Sequence, residues 1–186
     1  MKIGVYIGSF NPPHKGHIKI INYLLNNKFV DKIIVIPTGN YWNKQNLVDV
    51  SDRINMMKYY ENDKVIINTT YNEYKYTYQI LRELVKPYNK NDLYLILGAD
   101  NIVSFDKWDN FKELLTYNIL IMNRNNIDIN SYIENYPENK ITIIDGFKDI
   151  DICSTKLRED IKYGKDVSQY IDREIYDYII IHKLYK

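Results

Sequence analysis

Gly8-Ser9-Phe10-Asn11-Pro12-Pro13-His14-Lys15-Gly16-His17 is the stretch of sequence that decides the fold. Before it, residues 2–7 form a short apolar run rich in β-branched side chains, which is typical of a buried strand. After it, apolar residues recur at the spacing of one helix face, at Ile18, Ile21, Leu24 and Leu25. The stretch is therefore predicted to be a strand-to-helix turn. Such turns bind ligands at the edge of an open parallel sheet, where a helix N-terminus offers unpaired N–H groups to anions.

Small and stiff residues in the first half of the turn favour the close approach of a ligand. Gly8 has no Cβ, so the backbone of a ligand site can pass close to it. Ser9 and Phe10 can present main-chain N–H groups, and Pro12-Pro13 restricts the conformation of the turn. A Walker P-loop is excluded, because Pro13 stands where that motif requires a glycine and no Gly-Lys-Ser/Thr follows.

The two histidines of the turn are candidate ligands of an anion. His14 and His17 are three residues apart, so they would share a face of a first helical turn, with Gly16 keeping bulk away between them. Two imidazoles can donate hydrogen bonds and, when protonated, carry positive charge. A single histidine in a turn is more often an exposed polar residue. A zinc site is disfavoured, because zinc usually needs three or four protein ligands, and the sequence has one further histidine, His182, and one cysteine, Cys153.

Composition places the chain among ordinary globular proteins. Its 186 residues are 45% hydrophobic and 26% charged, which predicts a single domain over residues 1–186. The net charge of +1 gives no electrostatic reason to expect a nucleic acid or a membrane as partner. One cysteine excludes an internal disulfide, no apolar run reaches the roughly 18 residues of a membrane span, and no signal peptide is apparent. We therefore expect a cytoplasmic protein.

Short apolar runs alternate with helical patterns along the chain. Predicted strands cover residues 2–7, 32–37, 64–68, 93–97, 118–122 and 140–144. Predicted helices follow the first strand, begin at Ser51 as an N-cap, and cover residues 78–86, 110–115, 155–163 and 173–182, with a loop at residues 38–46. Residues 178–181 could be strand by propensity, but their polar approach favours helix. The alternation predicts an α/β fold with a Rossmann-like open parallel sheet flanked by helices.

A second candidate for phosphate binding lies near the end of the chain. Ser154 or Thr155 could cap a helix start and so aim N–H groups at an anion. Arg158 lies one turn further, where its guanidinium could hold a phosphate by two parallel hydrogen bonds. Taken alone, the segment is better explained as a capped surface helix with an exposed arginine.

The two segments together resemble the nucleotidylyltransferase superfamily. The early turn resembles its (T/S)-F-(D/N)-P-x-H-x-G-H signature, and residues 152–158 resemble its I-S-S-T-x-(I/L)-R motif, with Cys153 in place of the first serine. The resemblance implies that His14 and His17 contact a nucleoside triphosphate, that His17 stabilises charge at the α-phosphate, and that Ser154, Thr155 and Arg158 grip the triphosphate. A Rossmann dehydrogenase would instead need G-x-G-x-x-G after the first strand.

Further stretches resemble bacterial nicotinate-nucleotide adenylyltransferases, so that the resemblance spans almost the whole chain. Residues 75–81 resemble the S-Y-T-x-x-T-L segment, which implies that Thr77 helps to hold a pyridine carboxylate. Gly98-Ala99-Asp100 resembles the strand end that lines the nucleotide site, although Asp100 could equally be a helix cap. Lys107-Trp108 resembles the K-W pair whose indole stacks on the pyridine ring. The alternative for Trp108 is a core aromatic residue, the commoner fate of tryptophan.

One loop departs from the family pattern. Where the family has P-P-H-(K/R), this chain has Tyr41-Trp42-Asn43-Lys44. Lys44 retains a cation that could contact the acceptor or the triphosphate, whereas the proline stiffness and the histidine are lost. We therefore expect this loop to be more mobile than in the family.

The resemblance implies transfer of AMP from ATP to nicotinate mononucleotide, with Mg²⁺ carried in on ATP. In this interpretation Gly8, Ser9, Phe10, Gly16, Gly98 and Asp100 belong to the ATP site, and Lys44 to the acceptor site. Three alternatives stay open: the amide acceptor nicotinamide mononucleotide or both forms, a phosphopantetheine acceptor, and a nucleotide sensor without catalysis. An oligomer is compatible with the sequence.

Overall fold

A computed structural model of the chain describes residues 1–41, 47–123, 127–147 and 152–186. It contains six strands, β1 to β6, and eight α-helices, α1 to α8, in these described ranges. The strands are β1 Ile3–Gly8, β2 Lys32–Pro37, β3 Val65–Ile67, β4 Leu93–Gly98, β5 Asn118–Met122 and β6 Ile141–Ile144. The helices are α1 Lys15–Asn26, α2 Val50–Lys58, α3 Thr77–Leu84, α4 Ala99–Ile102, α5 Phe111–Leu114, α6 Asn130–Ile133, α7 Ser154–Lys162 and α8 Arg173–Ile181.

The strands form one parallel sheet in the order β3-β2-β1-β4-β5-β6. Each predicted strand and the α/β class are confirmed. The chain moves outward from β1 to β3, returns to pair β4 with the other side of β1, and then moves outward again. This reversal between β1 and β4 is the point at which an open α/β sheet binds its ligands, outside the carboxyl ends of the strands.

Both faces of the sheet are covered, which explains why its strands are almost continuously apolar. One buried cluster, which includes Val5, Leu95 and Ile119, packs with α3 and α5. A second cluster, on alternate residues such as Val35 and Ile96, packs with α1. A third cluster joins α2, α7 and α8 beside the sheet through Met56, Leu157, Val167, Ile171, Ile175 and Ile179. No helix of the described residues is long and apolar enough to span a membrane.

Several predicted helix boundaries were wrong. Helix α2 begins at Val50 with Asp49 in the N-cap position, so Ser51 is not the cap. Helix α7 begins at Ser154 with Cys153 in the N-cap position, so neither Ser154 nor Thr155 caps it. Asp100 is not a cap either, because Gly98 holds that position before α4. Residues 178–181 are helical, as expected from their polar approach.

Candidate active site

A cavity of about 490 Å³ opens at the carboxyl ends of β1 and β4. This volume lies in the usual range for a small-molecule site. The cavity is lined by many of the residues that the sequence predicted for the site: Gly8, Ser9, Phe10, His17, Thr77, Gly98, Asp100 and Trp108. The strand order therefore gathers at one place residues that are up to 100 positions apart in the chain.

The turn after β1 is held in an unusual backbone conformation. Phe10 has a φ of 47°, in the left-handed region that side chains with a Cβ rarely adopt. Its ring is buried at 2% exposure and packs edge-on against Tyr6 and His17, with centroid distances of 5.3 and 5.0 Å. A Cβ on Gly8 would lie 3.0 Å from the tip of this ring, so glycine lets the ring fold back over the strand end. The packing of the Phe10 ring on Tyr6 and His17 thus stabilises the turn.

The two histidines of the turn are in contact, as their spacing predicted. His14 holds the N-cap position of α1, and its ring stacks on that of His17 at a centroid distance of 3.7 Å. The backbone N–H of His14 donates to Nδ1 of His17 at 3.2 Å. Because that nitrogen accepts a hydrogen bond, the proton of a neutral His17 ring lies on Nε2, which leaves Nε2–H as the donor. His17 lines the large cavity, whereas His14 is 4% exposed and does not.

Gly16 makes room for the buried histidine. A Cβ at this position would lie 2.9 Å from Nδ1 and 3.0 Å from Cε1 of His14, closer than side chains normally approach. The same Cβ would lie 3.5 Å from Ile152, which precedes α7. The glycine therefore allows the late segment of the chain to approach the early turn.

The late arginine reaches the early turn, as the two motifs implied. Arg158 donates from Nη1 to the backbone carbonyl of Asn11 at 2.9 Å, across 147 residues of sequence. It also donates from Nη2 to the hydroxyl of Thr155 at 3.2 Å. Thr155 and Arg158 line a second cavity of about 260 Å³, together with Lys162 and Tyr185. Neither Thr155 nor Arg158 lines the large cavity.

Asn11 is a residue to which the sequence analysis assigned no role. Its side chain is 4% exposed, and its Oδ1 accepts from the hydroxyl of Tyr185 at 2.8 Å and from the backbone N–H of Val48 at 3.4 Å. Its backbone oxygen accepts from Arg158. The place of an asparagine inside the turn motif was its signal in the sequence, because Tyr185, Val48 and Arg158 are all distant in the chain.

Arg53 is a second residue that the sequence analysis left without a role. The side chain is fully buried and donates to the carbonyls of Ser9 at 2.7 Å, Thr38 at 2.6 Å and Val48 at 3.1 Å. A fourth bond goes to Oδ1 of Asn40 at 2.7 Å. These acceptors are neutral, and burial lowers the pKa of the guanidinium. Since C=O and N–H point in opposite directions across a trans peptide, holding the Ser9 carbonyl also fixes the direction of the Phe10 N–H.

The large cavity is also lined by two residues predicted for the acceptor, Thr77 and Trp108. Thr77 is the first residue of α3, and Trp108 is half-buried with its ring edge-on to Phe105 at 5.3 Å. Trp108 therefore packs against the core and also lines the cavity. Both alternatives for this residue, a core aromatic and a pocket residue, thus apply. Lys75 and Lys107 add positive charge to the lining, opposed by Asp100 and Asp109. Lys44 lies outside the described residues.

No group of three or more His, Cys, Asp and Glu side chains that could hold a metal ion occurs within residues 1–41, 47–123, 127–147 and 152–186. Cys153 is a free, exposed thiol at the start of α7.

Residues 5–160 match the family model described as cytidylyltransferase-like. The match includes the turn at residues 8–17, the strand end at residues 98–100 and the start of α7. The chain belongs to the cytidylyltransferase-like family.

Within the cytidylyltransferase-like family, the resemblance to nicotinate-nucleotide adenylyltransferases is confirmed by full-length relatives. A protein of Fusobacterium nucleatum, named probable nicotinate-nucleotide adenylyltransferase, is 36% identical over 94% of this chain and 95% of its own length. A protein of Clostridium tetani with the same name is 32% identical over 100% of this chain and 99% of its own length.

The fold of this cytidylyltransferase-like chain also matches a solved structure over nearly its full length. The Plasmodium falciparum nicotinic acid mononucleotide adenylyltransferase complexed with NaAD superposes with a TM-score of 0.84, at 24% identity, over 99% of this chain and 97% of that one. The match confirms the Rossmann-like fold that the sequence predicted.

Proposed function

We propose that this chain transfers AMP from ATP to the 5′-phosphate of nicotinate mononucleotide, giving nicotinate adenine dinucleotide and pyrophosphate. The observation that carries the proposal is the large cavity, which is lined both by the phosphate-directed turn with His17 and by Thr77 and Trp108. The names of the full-length relatives support the same activity.

The chemistry requires positioning rather than a strong base. An oxygen of the acceptor phosphate forms a bond to the α-phosphorus of ATP, while the bond from that phosphorus to the α,β-bridging oxygen breaks. The bond electrons leave with pyrophosphate. Because the acceptor phosphate is already an anionic nucleophile, catalysis depends on aligning the two phosphates and on stabilising the charge that develops between them.

The residues of the early turn and of α7 divide this work in our proposal. His17 donates from Nε2 to the α-phosphate, where charge develops. Arg158 and His14 hold the β- and γ-phosphates that leave, and the N-terminal turn of α7 at Ser154 and Thr155 adds N–H groups to the same anion.

The adenosine and the acceptor occupy the remaining surfaces. We assign Gly8, Ser9 and Phe10 with the strand end at Gly98 and Asp100 to the nucleotide. Trp108 offers an aromatic face to the pyridine ring, and Thr77 offers a hydroxyl and a helix N-terminus to its carboxylate.

Mg²⁺ enters this proposal as part of the substrate MgATP. Mg²⁺ retains several waters and is commonly held by substrate phosphates with one or two carboxylates. Asp100, at the rim of the cavity, is the one carboxylate among the residues we assign to ATP. Pyrophosphate release with Mg²⁺, and with Mg²⁺ removed by a chelator, tests this requirement.

The deciding experiment measures pyrophosphate release from MgATP with nicotinate mononucleotide, nicotinamide mononucleotide, phosphopantetheine or no acceptor. We expect the highest kcat/KM with nicotinate mononucleotide, and no release without an acceptor. His17→Ala is the matched control for activity from contaminating enzymes.

The other outcomes identify the alternatives. A preference for nicotinamide mononucleotide would overturn the choice of acceptor, and release only with phosphopantetheine would move the chain to another branch of the superfamily. Tight binding of ATP without pyrophosphate release from any acceptor would make the protein a sensor.

Three further parts of the sequence-based interpretation stay predictions. These are a single domain over residues 1–186, a cytoplasmic location and the possibility of an oligomer. Limited proteolysis, cell fractionation and light scattering test them in turn.

A further inference from the structure

The last five residues, which we call the tail (residues 182–186), turn back onto the protein after α8. Lys183 and Tyr185 have φ values of 53° and 62°, in the left-handed region that is unfavourable for residues with a Cβ. The N–H groups of Lys183 and Leu184 bond back to the carbonyls of Ile180 and Ile179, at 3.2 and 3.0 Å. Leu184 and Tyr185 then pack against the cluster that contains Leu157 of α7.

The reversal of the tail brings Tyr185 to the early turn. Its hydroxyl donates to Oδ1 of Asn11 at 2.8 Å, across 174 residues of sequence. Burial raises the pKa of Tyr185, so the hydroxyl keeps its proton, and thus its role as donor, over the physiological pH range. Oδ1 of Asn11 also accepts from the N–H of Val48, at the longer distance of 3.4 Å. Of these two bonds, the one from Tyr185 is the stronger restraint on the side chain.

Asn11 in turn restrains Arg158. Its backbone carbonyl accepts from Nη1 at 2.9 Å, while the hydroxyl of Thr155 accepts from Nη2 at 3.2 Å. A guanidinium is planar and has five N–H donors, so two contacts through different nitrogens fix its plane and leave further donors for a phosphate. The position of Asn11 therefore determines where Arg158 presents those donors.

We propose that Tyr185 is a positioning residue for Arg158, and that it acts through Asn11 to hold the guanidinium where the triphosphate is gripped. The inference rests on the proposed function, in which Arg158 binds the β- and γ-phosphates. The tail is then part of the ATP site, although Tyr185 is separated from the early turn by almost the whole chain.

Tyr185→Phe removes one hydroxyl and keeps the packing of the ring. We expect the affinity for a non-hydrolysable ATP analogue, measured by calorimetry without acceptor, to fall about fivefold. This is the loss of affinity that corresponds to the free energy of one hydrogen bond. The KM for ATP should rise by the same factor, with the KM for the acceptor unchanged. The control is Tyr163→Phe, because that tyrosine is 74% exposed at the end of α7, and it should leave both constants unchanged.

A double-mutant cycle decides whether Tyr185 acts through the arginine. In an Arg158→Ala background, Tyr185→Phe should have no further effect on affinity for the analogue. The proposal is overturned if Tyr185→Phe weakens binding equally in both backgrounds. It is also overturned if the substitution lowers the Tm and leaves affinity unchanged, since that identifies a tail anchor only. A wild-type protein that binds ATP but transfers no AMP would refute the proposed function. The double-mutant cycle would still test the link between Tyr185 and Arg158, because binding is measured without acceptor.

Discussion

At the scale of single residues, the stacked pair of histidines restricts how the site can carry charge. The rings of His14 and His17 stack at a centroid distance of 3.7 Å, so positive charges on both rings would repel each other. An anion bound against the rings would relieve that repulsion. The arrangement therefore suits an anion better than it suits an empty site, and His17 is the member of the pair that lines the large cavity.

His17→Ala tests the donor at the α-phosphate. Removing one preorganised donor to a developing charge costs ~10²–10³ in rate, so kcat for pyrophosphate release should fall by that factor. The fold should persist, because His17 is only partly buried and its neighbour Phe10 remains packed on Tyr6. Circular dichroism and the Tm report on folding in the same samples. A loss of less than tenfold with an intact fold would remove His17 from the reaction.

At the scale of elements, the strands were predictable and the contacts between elements were not. Runs such as Leu93–Gly98 are buried on both faces, which requires almost continuous apolar sequence and makes the pattern visible. Helices α4 and α6 were not predicted. Each has four residues, about one turn, which is too short to show an apolar periodicity. The cap of α2 was missed because Asp49 and Ser51 are equally good N-cap residues by type, so the sequence alone does not choose between them.

The site shows the same division between local pattern and long-range contact. The spacing of His14, His17 and Gly16 follows from one helical turn, and their proximity could be predicted. Arg53, in contrast, is a charged residue in an ordinary helical pattern. Its partners Ser9 and Thr38 lie 44 and 15 residues away, at the ends of two strands. Only the tertiary structure shows that this buried cation joins α2 to the turn.

Tyr60, which follows α2, bonds to the start of α8, and this bond should make the stability of the fold decrease at alkaline pH. The hydroxyl of Tyr60 donates to Oδ2 of Asp172, in the N-cap position of α8, at 2.8 Å. Burial, together with this carboxylate, raises the pKa of Tyr60 in the folded state. The unfolded chain loses the proton near pH 10 and the folded chain retains it. The contribution of Tyr60 to stability should therefore be constant below about pH 9 and fall as the pH rises above about 10.

Tyr60→Phe should lower the free energy of unfolding by about 1–3 kcal/mol at pH 7, since one hydrogen bond to a charged group is lost. It should also make the decline above pH 10 shallower, with the remainder due to other buried tyrosines such as Tyr185. Urea unfolding at pH 7, 9 and 10.5 measures both effects. Tyr59→Phe is the control, because that neighbouring side chain is 54% exposed. Equal slopes for both variants would contradict the assignment.

At the scale of the whole molecule, the residues that we propose for the ATP site are positioned by different hydrophobic clusters. The sheet and its two apolar clusters place the early turn, whereas the third cluster, beside the sheet, places α7 and the tail. Helix α2 connects them, since Met57 belongs to the second cluster and Met56 to the third. Lys15 strengthens the junction, because its backbone N–H donates to Tyr170 at 2.8 Å and its Nζ to Ser168 at 2.9 Å. Loosening the third cluster should therefore weaken ATP binding.

A pair of leucine truncations separates this effect from a general loss of stability. Leu157 is 1% exposed in the third cluster, next to Arg158, and Leu24 is fully buried in the second, ten residues beyond His14 on α1. Leu157→Ala and Leu24→Ala should each lower the free energy of unfolding by about 2–5 kcal/mol. Only Leu157→Ala should raise the KM for ATP, because α7 carries Arg158, which we propose to bind the triphosphate. Urea unfolding and steady-state kinetics measure both quantities, and equal changes of KM in the two variants would show that the cores do not act separately.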